Sequence, residues 1–278
     1  MRIAFTKMHG LGNDFIVFDA PPPPGHAPTP AQLRGLADRH TGIGFDQALM
    51  LEAPRRAGTV VYYRIFNCDG SEVEQCGNGA RCIAALLHRR GAAPREALIA
   101  MDSPGGIVRA RVHSPEWVSV DMGVPNFDPR SLPFDAPREA SSYGLQTDGG
   151  SVEIGAVSLG NPHAVLTVAA VESAPVERLG PLIEAHPRFA QRVNVGFMQI
   201  VDRADIRLRV FERGAGETLA CGTGACAAVA VGRERGLLDP QVRVHVRGGD
   251  LRVNWTGRGE ALWLTGPAQL AFEGHVDL

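Results

Sequence analysis

The sequence has a single lysine, Lys7, among its 28 lysine and arginine residues. Proteins hold pyridoxal phosphate through a lysine Schiff base, so this chain offers one candidate residue for that linkage. No glycine-rich phosphate-binding phrase stands near Lys7. The scarcity of lysine therefore argues against pyridoxal chemistry, and we expect no cofactor.

An excess of charge of one sign is also missing. The 28 basic residues are balanced by 30 acidic ones, which leaves a formal net charge of -2 and no basic field for nucleic acid. No apolar run reaches the length of a membrane span, and Met1–Phe5 lacks the apolar core of a secretory signal. We expect a soluble cytoplasmic protein with neither nucleic acid nor a membrane as partner.

Cysteine is present, but not in the arrangements that hold metals or disulfides. The chain has 5 cysteines, an odd number, and no two of them form a Cys-x-x-Cys pair. A zinc site and a disulfide framework are therefore not expected. Reduced thiols, as in the cytoplasm, are the expected state.

What the chain does contain is one short phrase in two copies. Cys-Gly-x-Gly-Ala stands at Cys76–Ala80 and again at Cys221–Ala225, 145 residues later. Four further matches between the two halves stand in the same order along the chain and at a similar offset. They are Leu11–Asn13 with Leu159–Asn161, Gly44–Gln47 with Gly196–Gln199, Arg64–Asn67 with Arg209–Glu212, and Glu72 with Glu217. Collinear matches at about half the chain length indicate two duplicated domains of similar fold.

Strand-like patterns outnumber helical ones and do not alternate regularly with them, which favours an α+β fold. Predicted strands include Val60–Phe66, Ile107–Val112, Val118–Met122 and Ile206–Phe211. Predicted helices are Ala31–His40, Ala80–Arg90, Val176–Ala185 and Ala225–Arg235. The proline-containing stretches Pro21–Pro30 and Pro125–Pro137 are typical of surface loops.

Both Cys-Gly-x-Gly phrases lead directly into an alanine-rich helical pattern. Glycine lets the backbone approach a ligand, and the N–H groups of a first helical turn bind a carboxylate. The same helix end is expected to lower the pKa of a nearby thiol. Duplication suggests that Cys76 and Cys221 meet across a cleft as thiolate and thiol on opposite faces of one carbon, which suits a racemase or epimerase.

The alternative for any cysteine is a small buried hydrophobic residue, which is what we expect for Cys82 and Cys226. Asparagines at loop-like ends of apolar runs are either turn formers or ligand contacts, and the residues alone leave this open. These are Asn13, Asn67, Asn161 and Asn194. Glu212 and Arg213 form either a surface ion pair or part of the site, since Glu212 occupies the repeat position of Asn67.

Together these phrases resemble the diaminopimelate epimerase family, from Met8 to near the C-terminus. The motifs that carry the resemblance are Met8–Phe15, Arg39–Gln47, Asp69–Glu72, Gln75–Cys82, Gly160–His163, Glu212–Thr218, Cys221–Gly224 and Thr265–Ala268. One departure is Cys68, at a position where the family often has alanine.

The resemblance implies a pyridoxal-independent epimerase that interconverts LL- and meso-diaminopimelate by a two-base mechanism, in the biosynthesis of lysine and peptidoglycan precursors. The fold it implies is two similar pseudo-symmetric α+β domains, each a β-barrel-like, mostly antiparallel sheet around a central helix. The N-terminal domain would span residues 1–122 and receive segment 267–278, and the C-terminal domain would span residues 123–266. A homodimer with diaminopimelate as its small-molecule partner is expected.

The resemblance also implies roles for individual residues, with Cys76 and Cys221 as the acid–base pair. Residues expected to bind substrate are Asn13, Gln47, Asn67, Gly77, Asn78, Asn161, Asn194, Glu212, Arg213, Gly222 and Thr223. Of these, Gly77–Asn78 and Gly222–Thr223 would hold the reacting carboxylate through backbone N–H groups. His163 is expected to have a supporting role, and no metal ligand is implied.

The residues alone leave three other functional hypotheses open. Proline and hydroxyproline racemases also use paired cysteines and differ in substrate. A non-catalytic binding protein could keep the fold, although both cysteines remain here. A thiol redox protein is disfavoured because Cys76 and Cys221 are 145 residues apart.

Overall fold

The computed structural model describes residues 2–18, 28–73, 76–148 and 150–277. The chain divides into two compact units. The first unit is Met1–Val120 together with Gly266–Leu278, and the second unit is Asp121–Thr265.

The first unit is built mainly of strands, with one short and one long helix. Its elements up to the boundary are β1 (Arg2–Gly10), β2 (Asn13–Phe18), α1 (Pro30–Ala37), β3 (Gln47–Glu52), β4 (Tyr62–Asn67), β5 (Glu72–Val73), α2 (Gly77–Arg89), β6 (Leu98–Ser103), β7 (Gly106–Ser114) and β8 (Trp117–Asp121).

After one additional strand, the second unit has its helices and strands in the same order as the first unit. Its elements are β9 (Tyr143–Thr147), β10 (Gly150–Ser158), β11 (Pro162–Thr167), α3 (Val176–Glu184), β12 (Asn194–Asp202), β13 (Asp205–Glu212), β14 (Gly216–Thr218), α4 (Gly222–Glu234), β15 (Gln241–Val246), β16 (Gly249–Asn254) and β17 (Trp263–Pro267). The last strand, β18 (Gln269–Asp277), belongs to the first unit.

Strand pairing repeats between the units. In the first unit, β1 pairs antiparallel with β2, β2 parallel with β3, and β3 antiparallel with β4. In the second, β10, β11, β12 and β13 pair in the same sequence of senses. The next ladder is also the same, since β4 pairs parallel with β6, and β13 with β15. The order of pairing therefore supports a duplicated fold.

In each unit, one further strand pairs with the first strand of this order. The two units take this strand from different parts of the chain. In the second unit, β9 immediately precedes β10 and pairs antiparallel with it. In the first unit the corresponding antiparallel partner of β1 is β18, which comes from the end of the chain. Lys7 and Met8 in β1 flank a register shift in this pairing.

A largely buried helix packs against each sheet. Helix α2 contacts β1, β2 and β7, and every residue from Asn78 to Leu87 is buried. Helix α4 contacts β10–β13 and β16, and is buried from Gly224 to Gly232. A helix that is buried around its whole circumference belongs to the core of a domain. The predicted α+β fold, with a mostly antiparallel sheet around a central helix, is confirmed.

The shorter helices α1 and α3 pack on other parts of their sheets. Leu33 of α1 joins a buried apolar cluster with residues of β1, β2 and β3. Ile183 of α3 joins a larger cluster with residues of β9–β12. These contacts bury the amphipathic face of each short helix, which supplies most of a helix's stability in a protein.

Two predicted helix starts were wrong by three residues. The sequence pattern placed them at Ala80 and Ala225, but α2 begins at Gly77 and α4 at Gly222. Glycine tolerates helical backbone angles in a first turn, so the helix extends back to the cysteine. The C-terminal ends were predicted correctly, because Gly91 and Gly236 follow the helices with φ values of 76° and 69°.

The prediction of a surface loop at Pro125–Pro137 was also wrong. Phe127, Leu132 and Phe134 in this stretch are buried. The Phe134 ring stacks on that of Phe189 with 4.4 Å between centroids. These apolar side chains fill the second unit's core, and that packing outweighs the turn propensity of proline. Of Pro21–Pro30, residues 21–27 lie outside the described residues, and Pro30 opens α1 behind the N-cap Thr29.

Among the described helices, none has both the length and the apolar character needed to cross a membrane.

Candidate active site

Cys76 is the N-cap residue of α2, and its thiol lies beside the first turn of the helix. Its backbone is extended, with φ -148° and ψ 111°, while the next residue is already helical. The Gly79 N–H donates to Cys76 Sγ at 3.5 Å, so the sulfur occupies the place of a capping oxygen. The side chain is half-buried. Gln75, which precedes it in the motif, lies outside the described residues.

Asn13 and Asn78 lie beside Cys76. The Asn78 side-chain N–H donates to Asn13 Oδ1 at 3.1 Å, and Cys76 Sγ lies 3.9 Å from the same oxygen. Asn13 in turn donates to Asp46 Oδ2 at 2.9 Å, and Asn78 Oδ1 accepts from the buried Arg81 at 2.7 Å. Three predicted site residues are therefore in one connected group.

Gln47 and Asn67 form a second polar pair in the first unit. They are the first residue of β3 and the last residue of β4, and they face each other in the antiparallel register. Gln47 Nε2 donates to Asn67 Oδ1 at 3.0 Å, and Asn67 donates onward to Ser71 Oγ at 3.1 Å. Both side chains are half-buried.

Cys221 is the N-cap residue of α4, with a backbone close to that of Cys76 at φ -123° and ψ 110°. Its surroundings differ. Cys221 is 5% exposed, and its Sγ lies 3.0 Å from Glu212 Oε2. The other oxygen of Glu212 accepts from the Thr218 hydroxyl at 2.5 Å. A thiol hydrogen bonded to a carboxylate is therefore the central feature of this turn.

Burial, followed by the nearby Glu212 carboxylate, raises the pKa of the Cys221 thiol well above its usual range. The expectation that the helix end would lower the thiol pKa is therefore wrong for Cys221 in this ligand-free chain. The physical reason is that desolvation and a like charge both oppose the thiolate, and together they exceed the effect of the helix N-terminus.

Asn161, His163 and Thr223 form a chain of polar groups that leads to Cys221. His163 Nε2 lies 3.0 Å from Asn161 Oδ1, Asn161 Nδ2 donates to Thr223 Oγ1 at 3.3 Å, and that hydroxyl lies 3.5 Å from Cys221 Sγ. Burial, with a smaller contribution from the Arg213 charge, lowers the pKa of His163 to about 3. The imidazole is therefore neutral and orients Asn161.

Asn194 and Arg213 meet through the backbone of the turn after β13. The Arg213 N–H donates to Asn194 Oδ1 at 3.0 Å, while Asn194 Nδ2 donates to the Pro162 carbonyl at 3.1 Å. The buried Glu184 accepts from the Gly214 N–H at 3.0 Å in the same turn. Asn194 and Glu184 thus hold the turn that carries Arg213, whose exposed side chain donates to the Gln191 carbonyl at 3.0 Å.

The remaining cysteines do not join these groups as ligands or acids. Cys82 and Cys226 are fully buried, which confirms the interpretation of both as core residues. Burial raises the pKa of Cys82 to about 12. Cys68 is exposed, and its N–H donates to the Asp46 carbonyl at 3.1 Å. Within the described ranges, no group of three or more His, Cys, Asp or Glu side chains is arranged to hold a metal ion.

Comparison with known proteins identifies the family. The sequence profile described as "Diaminopimelate epimerase" matches residues 5–127 and 155–271. This chain belongs to the diaminopimelate epimerase family. A protein of Nitrosomonas europaea with that name is 55% identical over 278 residues, covering 100% of both chains. One of Thioalkalivibrio sulfidiphilus is 54% identical over 280 residues, again covering 100% of both.

The fold of this family is shared with enzymes of distant sequence. A crystal structure titled as a probable proline racemase from Agrobacterium radiobacter K84 has a TM-score of 0.69 with this chain. It is 18% identical in sequence, and the likeness covers 99% of this chain and 93% of that one. At this identity the likeness concerns the fold.

Two residues beside the candidate site of this family member were missed by sequence reasoning. Asp46 stands inside the repeated phrase Gly44–Gln47, of which only Gln47 was predicted to be a site residue. Arg81 stands in the Cys76 motif, but the helix was treated as alanine-rich from Ala80 onward. A signal was available, because an arginine in the otherwise apolar run Ala80–Leu87 must find acceptors when the helix is buried.

Proposed function

We propose that this chain is a diaminopimelate epimerase, which interconverts the LL and meso forms of 2,6-diaminopimelate without pyridoxal phosphate. Family membership and relatives of that name at 55% and 54% identity support the activity and the substrate. The observation that carries the mechanism is the pair of cysteines, Cys76 and Cys221, each the N-cap residue of a central helix with nearly the same backbone angles.

The proposed chemistry needs two proton transfers on opposite faces of one α-carbon. A thiolate takes the α-proton, so a C–H bond breaks and an S–H bond forms. The resulting carbanion then takes the proton of the second cysteine, whose S–H bond breaks and leaves a thiolate. Each turnover therefore exchanges the protonation states of the two sulfurs, and the reverse reaction restores them.

Helices α2 and α4 would stabilise the charge that develops on the substrate. The first N–H groups of a helix have no acceptor four residues earlier, and they attract anions. We assign this role to the backbone at Gly77–Asn78 and at Gly222–Thr223. Their N–H groups would bind the carboxylate attached to the reacting carbon and stabilise the carbanion next to it.

The surroundings of the two cysteines suggest which sulfur is protonated before substrate binds. Glu212 disfavours a second negative charge at Cys221, so we assign Cys221 as the resting thiol. Cys76 receives an N–H from Gly79, and the amide oxygen of Asn13 lies 3.9 Å from its sulfur. With Cys221 assigned as the thiol that returns a proton, we assign Cys76 as the first base.

The remaining polar residues would bind and orient the substrate. Asn13 and Asn161 stand nearest the helix turns of the two units, and His163 holds the amide of Asn161. Gln47, Asn67, Asn194 and Arg213 are assigned to the amino-acid end that does not react, whereas Glu212 stands beside Cys221 at the reacting end. Asn194 acts partly through the backbone turn that presents Arg213.

Cofactor independence is supported by the state of the single lysine. Lys7 is buried, and its ammonium donates to Asp14 Oδ2 at 2.6 Å and to the Gly44 carbonyl. An amine that is held in an ion pair is a poor nucleophile for Schiff-base formation. Lys7 therefore has a structural partner, and the proposed chemistry does not require it.

We also propose a cytoplasmic homodimer. All five cysteines are free, and free thiols persist in a reducing compartment. For the dimer, β18 offers a candidate face, because most of its residues are exposed and Phe272 is 48% exposed. Sedimentation of the purified protein would test this part of the proposal.

Solvent deuterium exchange tests the activity. Purified protein without added cofactor should incorporate deuterium at the α-carbon of diaminopimelate while the LL and meso forms interconvert. Proline and hydroxyproline, offered in parallel, should show no exchange. Exchange with proline but with no isomer of diaminopimelate would contradict the substrate and favour the related racemases. Absence of exchange with every amino acid would favour a non-catalytic binding protein.

A further inference from the structure

Cys76 stands beside a hydrogen-bonded series that begins and ends on charged side chains. Arg81 Nη2 donates to Asn78 Oδ1 at 2.7 Å, and Asn78 Nδ2 donates to Asn13 Oδ1 at 3.1 Å. Asn13 Nδ2 then donates to Asp46 Oδ2 at 2.9 Å. We call these four residues the first-unit relay.

The chemistry of the two ends allows only one direction along the relay. A guanidinium can only donate hydrogen bonds, and an ionised carboxylate can only accept them. Asn78 must therefore turn its oxygen toward Arg81, and Asn13 must turn its amide nitrogen toward Asp46. The two remaining groups, the Asn78 N–H and Asn13 Oδ1, then face each other correctly. Neither carboxamide can flip without losing a charge-assisted bond.

The fixed direction has a consequence at the sulfur. Because the Asn13 nitrogen is held by Asp46, it is Asn13 Oδ1 that lies 3.9 Å from Cys76 Sγ. An acceptor at this place favours the protonated sulfur over the thiolate. A flipped Asn13 would present N–H groups to the thiolate and make it a weaker base.

We propose that Arg81 and Asp46 are positioning residues of the epimerase, which act through Asn78 and Asn13 to keep an acceptor oxygen facing Cys76. Neither residue need touch the substrate. The oxygen receives the S–H that forms when Cys76 takes the α-proton, so the relay strengthens Cys76 as a base. It also holds the two asparagines that we assign to substrate binding. The inference rests on the proposed function only for its effect on turnover.

The surrounding backbone is shaped to admit the guanidinium. Arg81 is fully buried, and its Nε also donates to the Pro267 carbonyl at 3.4 Å. A Cβ at Gly10 would lie 3.3 Å from Arg81 Nη2 and 3.2 Å from the Pro267 oxygen. Glycine at position 10 therefore leaves space for the charged end of the relay.

The other end of the relay is also supported from several sides. Asp46 Oδ2 accepts the Asp14 N–H at 3.1 Å, and Asp46 Oδ1 accepts from Arg39 Nη2 at 2.9 Å. Arg39 and Lys7 both pair with Asp14, so this end is a network of charged groups. These contacts hold the Asp46 carboxylate in place at the acceptor end of the relay.

The second unit does not repeat the relay. The repeat position of Arg81 is Cys226, and that of Asp46 is Met198. There Asn161, just before β11, donates to the helix residue Thr223, whereas in the first unit the helix residue Asn78 donates to Asn13, the first residue of β2. The relay is therefore a specialisation of the Cys76 turn rather than a constant feature of the repeat.

The main experiment is a double-mutant cycle on kcat/KM. Arg81→Met removes the donor end, and we expect kcat/KM to fall by about 30- to 100-fold, because small misplacements of reacting groups have effects of this order. Arg81→Lys keeps a charged donor and should lose only about three- to tenfold. Asp46→Asn removes the acceptor-only end and should lose about tenfold or more. The double variant should have about the same kcat/KM as the more impaired of the two single variants, because both ends act through the same two amides.

The control is Arg233→Met, which removes a half-buried helix arginine of the second unit. Arg233 also donates to backbone carbonyls, those of Leu238 and Thr256. Its loss should lower the unfolding temperature while leaving kcat/KM within about threefold. Should Arg81→Met fail to fold, Gly10→Ala replaces it in the cycle, since its Cβ presses on the same guanidinium.

A second readout does not depend on the substrate. In the ligand-free protein, Asp46→Asn should increase the rate at which iodoacetamide alkylates Cys76 at pH 7 by about three- to tenfold, measured by peptide mass spectrometry, because Asn13 is then free to donate to the thiolate. Arg233→Met should leave that rate unchanged. The proposal would be overturned if the losses of kcat/KM in the two single variants multiplied in the double variant and the alkylation rate in Asp46→Asn stayed unchanged. If wild-type protein showed no exchange with diaminopimelate, the alkylation result would still decide the relay.

Discussion

The turns at Cys76 and Cys221 have the same backbone and different side-chain neighbours. Each cysteine is an extended N-cap residue followed by a helix of 13 residues. Each helix ends in the same way, since the N–H groups of Arg90 and Arg235 donate to the carbonyls four residues back, those of Leu86 and Val231. Duplication has thus preserved the element that would bind a carboxylate.

The difference lies in what faces the sulfur. Cys76 has the amide oxygen of Asn13 at 3.9 Å, and Cys221 has the carboxylate oxygen of Glu212 at 3.0 Å. Glu212 stands at the repeat position of Asn67, so a neutral amide in one copy corresponds to a charge in the other. Two equivalent backbones can therefore hold two sulfurs in different protonation states, which a reaction with one acid and one base requires.

The largest expected effect comes from removing either sulfur. Cys76→Ala and Cys221→Ala should each lower the rate of diaminopimelate epimerisation by at least about 10³-fold, since each removes a proton-transfer group. Deuterium incorporation at the α-carbon measures this. The matched controls are Cys82→Ala and Cys226→Ala, which remove fully buried sulfurs of the same helices and whose rates should stay within about threefold. Full activity in either of the first two variants would contradict a mechanism with two thiols.

The next effect concerns the charge that distinguishes the turns. Glu212→Gln removes a carboxylate that raises the pKa of Cys221, so the thiolate should form at lower pH. We expect alkylation of Cys221 at pH 8 to become about tenfold faster, while kcat/KM falls by about 10- to 100-fold. Glu172→Gln, which removes an exposed carboxylate paired with Arg207, should change neither quantity. An unchanged alkylation rate in Glu212→Gln would remove the asymmetry between the turns.

A smaller contrast is expected at the second glycine of each phrase. A Cβ at Gly224 would lie 3.0 Å from Val210 Cγ2, 3.2 Å from Cys221 Cβ and 3.3 Å from Cys221 Sγ. A Cβ at Gly79 would instead meet Leu49 at 3.2 Å and Phe15 at 3.5 Å, and neither of these is a cysteine. Gly224→Ala should therefore displace the thiol and lower kcat/KM by about tenfold. Gly79→Ala should lower the unfolding free energy by about 1 kcal/mol, with a smaller change in rate. Equal losses of kcat/KM in both variants would show that the thiol positions are not constrained in this way.

The smallest effect distinguishes two equivalent ion pairs. Arg64 and Glu72 form a bidentate pair at 2.7 Å for both bonds, and Arg209 and Glu217 repeat it at 2.7 and 2.8 Å. The second pair is less exposed, since Glu217 is 11% exposed and Glu72 is 38% exposed. Glu217→Gln should lower the unfolding free energy by about 1 kcal/mol at pH 7, and Glu72→Gln by about 0.5 kcal/mol or less.

The pH dependence of these pairs has a defined sign. The hydrogen-bonded arginine lowers the pKa of both Glu72 and Glu217 below the usual value of 4.5. Their stabilisation is therefore fully present above pH 4.5 and is lost as the pH falls through the lower folded-state pKa. Urea unfolding at pH 7 and pH 3.5 should show the difference between wild type and Glu217→Gln decreasing with acidity. A difference that grew on acidification would contradict the ion pair as its source.

Local patterns in the sequence were sufficient to predict the repeated elements. The strands around Ile107–Val112 and Ile206–Phe211 and the helix ends at Gly91 and Gly236 follow from hydrophobic periodicity and glycine chemistry. The same reasoning failed at Pro125–Pro137, where buried aromatic rings from distant segments decide the packing. Turn propensity depends on residues that are neighbours in the sequence, whereas burial in this core depends on residues that are distant in the sequence.

The roles of the site residues depend on contacts that no spacing reveals. Asn13 is 63 residues from Cys76 in sequence, and Asp46 is 33 residues from Asn13. Glu212 and Cys221 are nine residues apart, but the strand β14 between them is what returns the chain so that the carboxylate meets the sulfur. Asn161 was predicted as a site residue, while the burial that keeps His163 neutral could be seen only in the folded chain.

The sequence by itself therefore determined the duplication, the α+β class, the family and the two cysteines, because each of these is written in short phrases whose chemistry is local. The tertiary structure alone decided the burial and the hydrogen-bonding partners of those cysteines, and with them the raised pKa of the Cys221 thiol. A thiol's pKa depends on its burial and on the charges within a few ångströms, and in this chain those are supplied by residues brought together across strands and helices. The repeated phrase thus specifies one backbone turn twice, and its neighbours in space make the two turns different.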